Sequence, residues 1–245
     1  MAAWFSLLYG AVTYLLFLAT FAYAIGIIGN IFVPKSVDTG TPAPLAGALI
    51  VNLLLLTLFA LQHSIMARRS FKRWWTQFVS PAVERSTFVL AATAALALLL
   101  WQWVPIPEPV IWRVDSPVLA QVLWGIFWLG WATLLLSTFL LNHFELFGLR
   151  QVFARMMDRE IPEQEFRTPL LYRYVRHPIY LGFVLAFWAT PVMTAGHLLF
   201  AIGGTGYILV GIWFEERDLI DQFGDRYRKY RAQVGMLFPS RRGSA

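Results

Sequence analysis

Arg173, Arg176 and His177 stand in one short polar stretch with Tyr172, Tyr174 and Tyr180, and no Asp, Glu, Lys or Arg follows until Glu215 and Glu216. Guanidinium groups, an imidazole and phenols set against two adjacent carboxylates can bind a polar ligand by charge and hydrogen bonds. His177 and Tyr180 are three apart, so on a helix they share a face. Carboxylates at a membrane boundary are costly unless they are paired or liganded. Two arrangements meet that cost. Glu215, Glu216 and Arg217 can close on Arg173 or Arg176 as a structural cluster, or the carboxylates can line a ligand pocket.

The elements that must position these residues are apolar. Of 245 residues, 58% are hydrophobic and 14% charged, with mean hydropathy +0.58. Soluble domains carry about 25% charged residues, so the composition is that of a membrane protein. Eleven Trp and twenty Phe suit aromatic belts at the bilayer interface. The net charge of +6 points to basic loops facing anionic lipid, so the lipid bilayer is the expected partner and nucleic acid is not. The absence of cysteine removes disulfides, thiolate metal sites and a cysteine nucleophile. The first apolar run has no basic region before it and no small-residue cleavage site after it, so it reads as a retained helix.

A bilayer core needs about 20 apolar residues per helix. Spans are expected at about 7–31, 45–66 and 86–104, and a fourth within 116–144. Residues 177–214 contain no Asp, Glu, Lys or Arg over 38 positions. That is too long for one helix and enough for two short ones, with "TAGH" (194–197) as the hairpin tip because Gly breaks helices and permits tight turns. With six spans, 18 of the 20 Lys and Arg fall on one side. The positive-inside rule then puts both termini in the cytoplasm. The expected fold is all-α and polytopic, one integral-membrane domain over 1–245. In it the polar segments 142–176 and 215–245 meet at the base of the hairpin. In the tail, Phe223, Tyr227, Tyr230 and Val234 fall on one helix face among basic residues, the pattern of a basic interfacial helix.

"RHPIYLG", the uncharged hairpin, then "FEERDLIDQFGDRYRKYRAQV" and Pro239 together resemble the membrane methyltransferases related to isoprenylcysteine carboxyl methyltransferase. That core covers about 172–239. Upstream, "LFALQHSIMAR", "RSFKRWW", "ERSTFVL" and "NHFELFGLRQV" are similar to one branch, the bacterial methanethiol S-methyltransferases. These are close to a set of proteins named for nitric-oxide and denitrification gene clusters, and the resemblance then extends over most of the chain.

The resemblance implies S-adenosylmethionine as cofactor, held by Arg176, His177, Tyr180, Leu181 and Gly182 on one side and by Glu215 and Glu216 on the other. Carboxylates suit its ammonium and ribose hydroxyls, and aromatic faces such as Tyr180 or Trp213 suit its sulfonium. Arg173 or Arg176 would meet its carboxylate, and no metal is needed. The implied acceptor is a small thiol, methanethiol, converted to dimethyl sulfide. Only the thiolate attacks well, so a base or a cationic stabiliser is expected where the methyl points, and His63 and His143, near the ends of the second and fourth spans, are the candidates. His197, at the hairpin tip, is set aside. Other readings stay open: a lipophilic acceptor (isoprenoid, prenylcysteine or phospholipid), a sterol-type reductase using a nicotinamide cofactor, or a non-enzymatic denitrification-associated membrane protein. Oligomeric state is not legible.

Overall fold

A computed structural model describes residues 3–161 and 165–239. In chain order its helices are α1 (Ala3–Gly29), α2 (Leu45–Ala67), α3 (Arg69–Trp75), α4 (Pro81–Gln102), α5 (Pro117–Leu141), α6 (His143–Leu146), α7 (Leu149–Met156), α8 (Pro178–Trp188), α9 (Ala195–Phe223) and α10 (Asp225–Gln233). Two short strands, β1 (Val110–Arg113) and β2 (Val192–Thr194), form an antiparallel pair, and Leu170–Arg173 is a 3₁₀ turn. Five helices, α1, α2, α4, α5 and α9, are long and apolar enough to cross a bilayer. The chain is an all-α, polytopic integral membrane protein.

The hairpin departs from the expected pair of short spans. Helix α8 has 11 residues, about 16 Å of helix against a core of roughly 30 Å. Its partner α9 has 29 residues and runs through Glu215–Asp218 to a stop at Gly224, where φ is +58°. Glu215 and Glu216 therefore lie inside a continuous helix, not at its exit. The turn lies at 189–194, one step before the expected tip. Thr194 caps α9 by accepting from the His197 amide at 3.0 Å, so Gly196 falls in the first helical turn.

Two compact units make up the chain, Met1–Glu108 with Asn142–Glu163 and Pro109–Leu141 with Gln164–Ala245. In the first, α4 packs on α1 and α2, and α7 packs on α1 and α4. Helix α1 ends where Asn30 turns into the left-handed region (φ +55°) and the Ile31 amide bonds back to Gly26 at 3.0 Å. Gly26 is required there, since a Cβ would sit 2.6 Å from Val33 and 2.8 Å from the Ile31 carbonyl. Asn52, fully buried, has both ends of its amide satisfied by the Val104 backbone at 2.7 and 2.9 Å. An unsatisfied amide there would cost several kcal/mol. Pro81 opens α4 at a position where its missing N–H costs nothing.

In the second unit α5 crosses α8 at two glycines. A Cβ on Gly130 would meet the Gly182 carbonyl at 2.7 Å, and one on Gly182 would meet the Gly130 carbonyl at 2.6 Å. At the turn end of the hairpin β1 pairs with β2, and Trp112 Nε1 donates to the Thr190 carbonyl at 3.0 Å. Helix α10 packs back on α9. Its aromatic face is used inward: Phe166 meets Phe223, Tyr227 and Tyr230 with ring centroids 5.4, 5.9 and 5.4 Å apart. The pattern that reads as an interfacial helix is thus a packing face. Arg241 and Arg242 of the basic tail lie outside the described residues.

Candidate active site

Backbone pairing places the polar cluster of the second unit. Residues 175–177 are extended and run alongside 235–236. The Arg176 amide donates to the Gly235 carbonyl at 2.9 Å and the His177 amide to the Met236 carbonyl at 3.1 Å. Pro178 then starts α8. Its ring disfavours helical backbone at the preceding residue, so His177 stays extended just outside the helix (φ −125°, ψ 65°). Helix α9 returns along α8 and delivers Glu215 and Glu216 to the same place.

Glu216 is the hub. Arg176 Nε donates to its Oε1 at 2.8 Å, His177 Nε2 lies 3.2 Å from the same oxygen, and Arg231 Nη1 is 3.6 Å from Oε2. Arg176 also donates through Nη1 to the carbonyls of Arg231 and Val234, at the C-terminal end of α10. A guanidinium suits both tasks, because the helix C-terminus is the negative end of its dipole. The Glu–Arg closure open at the level of sequence is realised for this carboxylate, with Arg176 as partner. Arg173 is exposed.

Glu215 differs from its neighbour. Among the described residues no Arg or Lys lies within 4 Å of it, and its closest charge partner is His177 Nδ1 at 3.6 Å from Oε2. That oxygen is shielded from solvent and has no hydrogen-bond partner. The Tyr227 hydroxyl, on a side chain only 2% exposed, is likewise buried without a partner. The Glu215 side chain as a whole is 43% exposed, and the Tyr180 hydroxyl of α8 faces its carboxylate, so this carboxylate is held by neutral or weakly charged groups where Glu216 is held by arginine. The surrounding phenols remain neutral. Burial raises the Tyr172 hydroxyl well above the ordinary range, with Glu215 adding to it. Burial and Glu216 do the same at Tyr227. Tyr230 is pushed up to about 12 by burial, with Arg176 opposing, and its hydroxyl donates to the Tyr172 carbonyl.

Of the residues expected at the site, Arg176, His177, Glu215 and Glu216 come together, and the Tyr180 ring lies 5.6 Å from His177. Leu181 is on α8, partly exposed. The space that Gly182 leaves is taken by Gly130 of α5, so its lack of a Cβ has a packing cause. Trp213 is exposed, with the Arg217 guanidinium 3.7 Å over its ring, so that face is already occupied by a cation. His197 is fully buried and bonds the Phe187 carbonyl through Nε2 at 3.0 Å, a structural role. Arg231, Tyr227 and Tyr230 join the cluster unforeseen. Their signal was the i, i+3 spacing of the tyrosines in "DRYRKYR", which sequence reasoning assigned to lipid.

His63 and His143 belong to the first unit. His143 is 4% exposed, and its Nε2 lies 2.7 Å from the Tyr14 hydroxyl. The Phe147 and Phe144 rings are centred 4.8 and 5.4 Å from it. Burial holds its imidazole below the usual histidine range, in the neutral form. His63, on α2, packs against Phe88 of α4 at 5.0 Å and Phe59 at 5.5 Å.

A family model described as "NnrU protein" matches residues 51–234. A methanethiol S-methyltransferase of Mycobacterium tuberculosis is 59% identical over 239 residues, covering 98% of each chain. Methanethiol S-methyltransferase 1 of Bradyrhizobium diazoefficiens is 58% identical, over 96% of this chain and 82% of the relative. A methanethiol S-methyltransferase of Crocosphaera subtropica is 51% identical, over 96% of this chain and 92% of the relative. No solved structure matches the chain.

Proposed function

The chain belongs to the NnrU protein family, and on that premise we propose that it transfers a methyl group from S-adenosylmethionine to a small thiol, converting methanethiol to dimethyl sulfide. The observation that carries the donor half is the orphaned Glu215 oxygen beside His177. The names of relatives at 51–59% identity over nearly the whole chain carry the acceptor half. S-adenosylmethionine supplies a methyl group on a sulfonium, with an ammonium and hydroxyls that donate hydrogen bonds.

This chain's residues divide the work by their surroundings. Glu215 accepts from the ammonium or a ribose hydroxyl, and a charge-assisted bond there is worth about 1.5–3 kcal/mol. Glu216 holds His177 and Arg176 in place through Oε1, with Arg231 3.6 Å from Oε2. His177 and Tyr180 present ring faces to the cofactor, and Leu181 an apolar edge. Arg176 already spends three donor contacts on protein, so its part is to shape the pocket. His63 and His143 are the candidates to receive the thiol proton, and the neutral state of His143 leaves it able to do so. The bias of Lys and Arg to one set of loops puts the site and both termini on the cytoplasmic side. Alignment of the two sulfur atoms and exclusion of water then supply most of the rate.

The test is thermal denaturation of detergent-purified protein with S-adenosylhomocysteine or NADPH, beside headspace chromatography of membranes given methanethiol and S-adenosylmethionine. Saturation at 100 times the dissociation constant adds about 2.7 kcal/mol of stability. Stabilisation by NADPH alone, with no dimethyl sulfide formed, refutes the reading.

A further inference from the structure

The docking of α10 uses the ring of Tyr227 and not its hydroxyl. The residue is 2% exposed, and its ring meets Phe166 edge-on at 5.9 Å and Tyr230 at 5.8 Å between centroids. The hydroxyl is shielded from solvent and has no hydrogen-bond partner. A buried hydroxyl in that state is costly. Its surroundings are polar, since the charges of Glu216, Arg176 and Glu215 reach it, yet each of these groups is engaged elsewhere. Glu216 Oε1 is taken by Arg176 and His177, and its Oε2 faces Arg231 at 3.6 Å. Arg176 is spent on Glu216 and on the carbonyls that end α10. The neighbouring Tyr230 hydroxyl donates to the Tyr172 carbonyl. A second shielded atom without a hydrogen bond, Glu215 Oε2, belongs to the same cluster. All of these residues lie in the second compact unit.

We propose that the Tyr227 hydroxyl is a binding group for the amino-acid end of the methyl donor, accepting a hydrogen bond from the ammonium that Glu215 also takes. The proposal rests on the methyl-transfer reading above. An ammonium carries three N–H donors, more than a single carboxylate oxygen satisfies, and a phenol oxygen has lone pairs to accept one of them. Two carboxylates within reach favour a cationic group at this place over the uncharged ribose hydroxyls or the donor's own carboxylate. The ring is held by Phe166 and Tyr230, so forming the bond costs little side-chain entropy.

The experiment compares the wild type with Tyr227→Phe and Tyr230→Phe in detergent, by thermal denaturation and calorimetric titration. Two probes are titrated: S-adenosylhomocysteine, and 5′-methylthioadenosine, which has the nucleoside and the thioether but no amino-acid end. Tyr227→Phe keeps the ring and removes an oxygen without a partner, so the ligand-free melting temperature should not fall. Its dissociation constant for S-adenosylhomocysteine should rise about three- to tenfold, while that for methylthioadenosine keeps its wild-type value. Tyr230→Phe removes a hydroxyl already bonded to protein, so the ligand-free melting temperature should fall and the ratio of the two affinities should stay as in the wild type. Wild-type affinity for S-adenosylhomocysteine in Tyr227→Phe overturns the proposal. Equal weakening of both probes does so too, because the contact is then to the nucleoside or acts through the fold. A lowered ligand-free melting temperature with an unchanged ratio of affinities gives the hydroxyl a structural role and also overturns it. If the wild type binds neither probe, the methyl-transfer reading fails and this contact with it. A wild type that binds both leaves that reading standing whatever Tyr227→Phe does.

Discussion

Arg176 holds Glu216 with one edge of its guanidinium, Nε to Oε1 at 2.8 Å, while the other edge closes the end of α10. A single side chain thus couples the carboxylate hub to the docking of the C-terminal helix. Both partners are 11% exposed at the side chain. Removing one member of a pair this buried leaves a charge uncompensated, at about 3–5 kcal/mol. Arg176→Met should therefore lower the thermal midpoint strongly and expose the 225–239 segment to protease. Arg176→Lys keeps the charge but not the fork, and should recover only part of the loss.

Glu215 and Glu216 should separate experimentally. Glu215→Gln removes a charge whose Oε2 has no partner, so stability should change by less than about 1 kcal/mol. Cofactor affinity should fall by about 1.5–3 kcal/mol. Glu216→Gln should show the reverse emphasis, with a lowered melting temperature and a smaller change in cofactor affinity at low temperature. Calorimetric titration with S-adenosylhomocysteine, run beside thermal denaturation, checks both. Equal effects of the two substitutions on affinity would contradict the assigned division.

His143 makes stability depend on pH. Its folded ionisation lies below the ordinary value of about 6.5, so between the two values the unfolded chain binds more protons. Stability is then full above about pH 6.5 and declines as pH falls through that window, with a limiting slope of about 1.4 kcal/mol per pH unit. His143→Gln should remove this part of the slope while other groups keep theirs. Melting temperatures from pH 5 to 8 in one detergent read it out.

The α5–α8 crossing should not tolerate a methyl group. Gly130→Ala and Gly182→Ala each place a Cβ at 2.6–2.8 Å from backbone of the facing helix. Overpacking of this kind costs about 1–3 kcal/mol. If Gly182 acts through packing, both substitutions should lower stability alike, and the cofactor's dissociation constant should change alike in both. A specific loss of cofactor affinity in Gly182→Ala alone would give that glycine a lining role.

Much of the architecture was legible in the chain itself, because membrane insertion is governed by run length. Uncharged stretches of more than about 20 residues, broken by "PKSVDTGTPAP", "SP" and "PIPEP", can only be long helices in lipid. Helices α1, α2, α4 and α5 fall where those runs do. The hairpin was harder. Period and hydropathy do not say how 38 apolar positions divide, and the unequal split into α8 and α9 depends on where β1 captures β2. That contact joins residues some 80 positions apart. Helix α10 was misread for a related reason. An aromatic face looks the same in sequence whether lipid or Phe166 covers it. The site shows the limit most clearly. Its residue types and their convergence at the base of the hairpin followed from the order of elements. Which glutamate is bound by arginine and which is left open did not. Neighbours on a helix point about 100° apart, so two identical side chains meet different surroundings. Those surroundings, Arg176, Arg231 and His177 for one and His177 with Tyr180 for the other, are complete only once α10 has docked.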